Sequence, residues 1–302
     1  MAVDGRWLLP LLAAALCAVF ASLLLGQWWS RRRPYQVIWA AGLLFYGLAA
    51  GADAVGQLYG WSEATYRVWY LFGAMATAAW LGLGELYLIR TPAFGELVAL
   101  GVFAGSIPAL IRGGRLLAAH EDVLAQPAIA IGVAGIAAAG VLALVSWERP
   151  EWFGHAGLAL LVAGTLYGAA RVFSAPVDAA QMLDPATGVP WGNALPDSVR
   201  LLTPLFNIGG SLALLFGAGY SAWSYWRRRA SRRRLISTGL IALGAFAPSL
   251  TSTLNRFGIT GAFYWGELLG VLLLFSGFLA STEAAAGRAP SRLRGLVSRP
   301  LH

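Results

Sequence analysis

The chain has 302 residues, of which 58% are hydrophobic and only 12% charged, with a mean hydropathy of +0.64. Soluble domains carry about 25% charged residues, so a water-soluble globule of this length is excluded for want of polar surface. The charge that remains comprises 22 arginines, no lysine and 14 acids. Without a lysine amine no Schiff base can form, which excludes covalently bound retinal and pyridoxal phosphate.

Apolar runs of about 20 residues, the length that spans a hydrocarbon core, divide the chain into nine predicted helices. The first runs from Trp7 to Trp29 and is too long and too aromatic at its flanks for a cleaved leader. The second covers Tyr35 to Tyr59 and the third Ala64 to Ile89. The fourth, Ala93 to Ile111, is short and carries Glu96 and Pro108, so an eight-span alternative rests on its failing to cross. The fifth and sixth cover Val123 to Trp147 and Gly154 to Phe173. The last three run from Arg200 to Trp226, Leu235 to Leu254 and Ile259 to Ser281. The fold class expected is an all-α polytopic transmembrane bundle forming one domain over residues 1–286. Residues 287–302 are read as a basic, disordered tail.

Arginine placement sets the orientation, because loops on the cytoplasmic side carry the basic excess. Arg31 to Arg33, Arg90, Arg149, Arg227 to Arg229, Arg232 to Arg234 and the tail arginines share one side, fifteen of the 22. That predicts the amino terminus outside and the carboxyl tail in the cytoplasm of a multi-pass cell-membrane protein, with a bacterial inner membrane expected. The basic segments Arg31–Arg33 and Arg227–Arg234 then face anionic lipid headgroups, and the pI near 10.1 does not point to nucleic acid. A protein partner or a second copy of the chain is compatible with this reading.

One predicted outer loop, 174–199, is long for a compact bundle and holds Pro176, Pro185, Pro190, Pro196, Asp178, Asp184, Asp197 and Trp191. Trp7, Trp28, Trp29, Trp61, Trp147, Trp152, Trp191 and Trp226 fall near predicted helix ends, where an aromatic belt is expected. Small-xxx-small pairs at Gly47/Gly51, Gly101/Gly105, Gly164/Gly168 and Gly266/Gly270 predict close helix packing.

Ionisable groups within spans are costly and mark candidate sites. Asp53 and Glu267 sit roughly 9 and 12 Å inside the outer ends of their helices, at about 1.5 Å per residue. Arg67, across a short turn from Asp53, is expected to meet it as an ion pair. Asn207 lies at a depth like that of Glu267, and Arg171, Asn255 and Arg256 belong to outer helix ends. Together they outline a polar cluster in the outer half, accompanied by Tyr66, Trp69, Tyr70, Tyr264 and Trp265, able to bind a polar ligand or relay protons. Glu85 is an inner-side candidate that, like Glu96, can pair with Arg90.

Three histidines, His120, His155 and His302, all fall outside helix interiors, so bis-histidine haem and His-rich metal sites are not expected. Cys17 is the single cysteine, so neither a disulfide within the chain nor a cysteine cluster is available. No His-Glu-x-x-His or Gly-x-Ser-x-Gly motif occurs. The activity expected first is small-ligand, lipid or ion binding and transport through the outer polar cluster. A non-catalytic anchoring subunit of a larger membrane complex is the alternative, followed by an enzyme acting on a lipid-linked substrate.

Overall fold

The computed structural model describes residues 7–227, 232–256 and 262–286. They form nine long helices: α1 (Leu8–Arg31), α2 (Pro34–Tyr59), α3 (Glu63–Leu88), α4 (Pro92–Ala118), α5 (Asp122–Glu148), α6 (Phe153–Ser174), α7 (Leu202–Arg227), α8 (Arg232–Arg256) and α9 (Ala262–Ala286). Eight are long and apolar enough to cross a membrane, and α8 has a shorter apolar stretch, Leu235–Pro248. Among the described residues the β structure amounts to one isolated bridge, between Leu183 and Pro190. The chain is therefore a polytopic all-α membrane bundle. Its lipid-facing surface is studded with exposed leucine and valine, such as Leu12 and Val19 of α1 and Leu100 of α4.

Local sequence sets the turns. Pro34 and Pro92 open α2 and α4, where a missing N–H costs nothing. Ser62 caps α3 by accepting from the Thr65 N–H at 3.2 Å, and Thr91 does the same for Phe94 in α4. Arg32 turns out of α1 in the left-handed conformation, φ 52°, with its guanidinium over the rings of Trp28 and Trp29. The end of the bundle holding Arg31–Arg33, Arg90 and Arg149 is called the basic end below, and the opposite one the far end.

Helix α4 differs from expectation. It continues through Pro108 to Ala118, 27 residues in all. The apolar count stops at Arg112, yet that arginine extends the helix into the interface, where it pairs with Asp197 at 2.8 Å. The fourth helix is thus long and apolar enough to cross, and the shorter apolar stretch is that of α8, so the bundle has eight or nine spans.

The centre of the bundle is α7. A Cβ on Gly82 of α3 would collide with the Gly210 carbonyl, and one on Gly210 with the backbone of Ala78 and Ala79. On its other side, the Cα of Gly209 lies 3.1 Å from a Cβ built on Gly101 of α4, and Gly105 abuts Pro204 and Leu205. Two helices thus approach α7 backbone to backbone, as small residues permit in lipid. The expected pairs at Gly101/Gly105 and Gly266/Gly270 lie in such contacts, the latter against Thr251, Pro248 and Gly244 of α8.

Within α3, Tyr70–Ala76 is π-helical, a geometry that adds a residue to the turn and weakens the regular ladder. Thr77 Oγ donates to the Phe72 carbonyl at 2.7 Å, and Asn207 Nδ2 of α7 donates to the Ala74 carbonyl at 2.6 Å.

The long loop is folded over the far end. Asp178 and Asp184 close turns on the N–H groups of Ala180 and Ala186, and Met182, Val189, Ala194 and Leu195 are buried. Tyr66 of α3 donates its hydroxyl to the Trp191 carbonyl, and Trp191 Nε1 donates to Gln181. Trp61 lies on the Gly56 surface beside Tyr66 and Trp69. Trp61 and Trp191 therefore belong to this cap, a correction to their assignment to the belt. Trp29, Trp147, Trp152 and Trp226 are exposed at helix ends, as a belt requires. The 287–302 tail and Arg228 and Arg229 of the second arginine cluster lie outside the described residues.

Replacement of Gly210 by Val is expected to cost about 3 kcal/mol or more through overpacking against α3. Gly140→Ala, whose Cβ meets nothing within 4 Å, should stay within about 0.5 kcal/mol of the parent. Asn207→Ala, which strands the Ala74 carbonyl, should cost roughly 1 kcal/mol. Unfolding by SDS titration of the purified protein measures all three.

Candidate functional site

Near the far end, α2 and α9 meet through polar side chains. Asp53 is fully buried and Glu267 is 8% exposed, and the two carboxyls lie within electrostatic reach of each other. Gln57, one turn beyond Asp53 on α2, stands between the helices. Its amide donates to Asp53 Oδ1 at 3.4 Å and to the Tyr264 hydroxyl of α9 at 2.5 Å. Two turns to the other side, the Tyr46 hydroxyl donates to the Glu267 backbone carbonyl at 3.0 Å. The buried thiol of Cys17 on α1 adjoins this group.

Each acid keeps one bare oxygen. Asp53 Oδ2 and Glu267 Oε2 are buried without a hydrogen-bond partner. The ion pairs among the described residues are Glu63–Arg67, Arg112–Asp197 and Arg200–Asp197, and neither acid takes part. A buried carboxylate with no counter-charge is costly, and two neighbouring ones repel each other strongly at low dielectric. Uptake of a proton by one acid relieves both costs.

The other expected members of the outer cluster sit elsewhere. Arg67 does not meet Asp53. It donates to the Val172 carbonyl at the end of α6 and pairs with Glu63, one turn earlier on α3, at 3.3 Å. An i, i+4 acid and a free carbonyl were nearer partners than a residue on the opposite side of the turn. Arg171 reaches Ser198 in the short helix Asp197–Arg200 at 3.1 Å, with its Nε buried and unpartnered. Asn207 is spent on the π segment of α3. Asn255 and Arg256 lie outside the residues whose side chains are described. Tyr66, Trp69 and Tyr70 form the aromatic core beneath the cap and stack on one another, while Trp265 is exposed. The expected single cluster is therefore two groups: an acid pair between α2 and α9, and an arginine-held cap over α3, α6 and the loop.

Gln57 and Tyr46 had escaped the sequence reading. An uncharged glutamine one turn from an acid is a weak signal, and a tyrosine in a span reads as apolar filling until its hydroxyl partner is known.

At the basic end Glu85, 3% exposed, packs its carboxyl against Gly217 of α7, where a Cβ would stand 2.8 Å from Oε2. It forms no ion pair with Arg90, contrary to expectation, and Glu96 instead accepts from Trp147 Nε1 at 2.8 Å. Glu85 borders a cavity of about 310 Å³ enclosed by α1, α2, α3, α7, α8 and α9. A second cavity, about 140 Å³ and lined by alanine, glycine, leucine, valine and Phe206, lies among α3 to α7. Neither is bordered by Asp53 or Glu267. No group of three or more His, Cys, Asp or Glu suited to a metal ion occurs among the described residues. Comparison with protein-family models, with curated proteins and with solved structures finds no match to this chain.

Proposed function

We propose that the chain is a membrane transport protein in which Asp53 and Glu267 form the proton-binding centre. The observation that carries this reading is the pair of acids in the bundle interior, each with a bare oxygen and, among the described residues, no ion-pair partner. Intramembrane acids that face protein rather than lipid mark ion and proton paths. A proton suits the pair better than a metal ion does. The two acids border neither cavity, and a hard cation would need about six oxygens at fixed distances.

Orientation follows from the arginines. With the basic end in the cytoplasm, the acid pair stands near the outer face and the Glu85 cavity near the inner one. Tyr46, Cys17 and the fully buried Val271 lie between them, so the two polar regions are divided by packed apolar side chains. Passage between them requires a change of helix packing, which is how alternating access works.

The anchoring-subunit reading draws support from one feature. Only 17% of the apolar window of α6 is buried, which leaves most of that helix open to lipid or to another chain. An enzyme on a lipid-linked substrate draws less, since the converging acids border no cavity.

Proteoliposomes holding a pH-sensitive dye, with a potassium diffusion potential imposed, test the proposal. The wild-type chain should acidify the lumen faster than protein-free vesicles. Asp53→Asn and Glu267→Gln should each slow that rate at least tenfold while eluting as the parent does on gel filtration. Equal rates for parent and variants, or for parent and empty vesicles, overturn it.

A further inference from the structure

We infer that the cavity at the basic end is a binding site for an organic ammonium ion carrying a compact apolar group. At about 310 Å³ it falls at the lower end of the range for small-molecule pockets. Its walls are mostly leucine and aromatic residues, with Phe20, Tyr35, Trp39, Tyr225 and Phe278 contributing five rings from four helices. Glu85 supplies the single acid. Its side chain is nearly fully buried and makes no hydrogen bond or ion pair with a described residue.

Each part of this wall selects for the same chemistry. Ring faces attract a cation through their quadrupoles, and aromatic enclosures are the usual receptors for quaternary ammonium groups. A bound cation favours the ionised form of the Glu85 carboxyl and then gains an opposite charge where water screens little. An anion would be repelled by Glu85, and a purely apolar guest would leave that acid buried without a partner. A small inorganic cation would find one carboxylate where it needs several oxygens. Arg31 also borders the cavity, but as the exposed last residue of α1 at the mouth. Gly217 makes the geometry possible, because a side chain there would occupy the space of the Glu85 carboxyl.

The inference stands apart from the proton reading, since the two acid sites occupy opposite ends of the bundle and the test is one of equilibrium binding. Purified full-length chain in a non-ionic detergent is dialysed against radiolabelled benzyltrimethylammonium. The parent should bind it saturably, near one per chain. Glu85→Gln should weaken binding at least tenfold, Glu85→Asp less, and Tyr35→Leu about threefold. Asp53→Asn should bind as the parent does, and neopentylbenzene, the uncharged isostere, should fail to compete. Absence of saturable binding to the parent overturns the inference. So does undiminished binding to Glu85→Gln, or equal competition by the isostere, which marks the space as an apolar cavity only. If Glu85→Gln elutes as an aggregate, the Glu85→Asp and Tyr35→Leu affinities decide: both must fall below that of the parent.

Discussion

The close approach of α3 and α4 to the Gly209–Gly210 stretch of α7 is the constraint on which the rest of this bundle depends. In lipid there is little hydrophobic gain from bringing two helices together, so association rests on dispersion contacts and on hydrogen bonds across the interface. Both increase as the backbones approach. With Gly82 and Gly101 opposite Gly210 and Gly209, α7 becomes an axis around which the remaining helices arrange. α6 packs on the outside of α3, α5 pairs with α4, and the α1–α2 and α8–α9 hairpins complete the other side. The cavity at the basic end, the apolar cavity beside α7 and the meeting of α2 with α9 are spaces this arrangement leaves.

Within that frame, most interior polar groups are matched one to one. Trp39 Nε1 donates to the Leu81 carbonyl, Trp80 Nε1 to Thr165, Ser237 to the Gly277 carbonyl and Tyr46 to that of Glu267. Each bond ties one helix to another, and each removes a polar group that hydrocarbon would penalise. Among the described residues the exceptions are Asp53 Oδ2, Glu267 Oε2, Arg171 Nε and Trp7 Nε1, with Glu85 also forming no hydrogen bond there. Burying an acid without a partner is destabilising, so the bare oxygens of Asp53 and Glu267 are held at a cost in stability.

Much of the fold was legible in the sequence because the bilayer thickness sets a length and the arginines set a phase. Eight of nine predicted helices begin and end within a few residues of the observed ones, while α4 outran its apolar count by seven residues. Glycine spacing gave the α4–α7 seam. Side-chain pairing was far less legible. The depth of Asp53 could be counted, but depth does not fix rotation about the helix axis. Arg67 therefore turned to Glu63 and Val172, and Asn207 to a carbonyl within a π-helical irregularity that no periodicity announced. Trp61 and Trp191 share the composition of belt residues, and only the folding of residues 174–199 over α3 separates them from Trp29 or Trp226.

The π segment of α3 has a geometric consequence for that same problem. Its added residue sets the basic-end half of the helix back around the axis by about one residue's rotation, roughly 100°. A helical wheel drawn unbroken through residues 63–88 therefore misplaces one half or the other. The offset lets Tyr66 and Tyr70 address the cap and Thr203 while Glu85, on the same helix, addresses Gly217. Losing one residue between Tyr70 and Ala76 would restore an ordinary helix and swing one of these two sets of side chains away from its contact. The far-end cap and the Glu85 cavity thus share a single rotational register, held where Asn207 meets the Ala74 carbonyl.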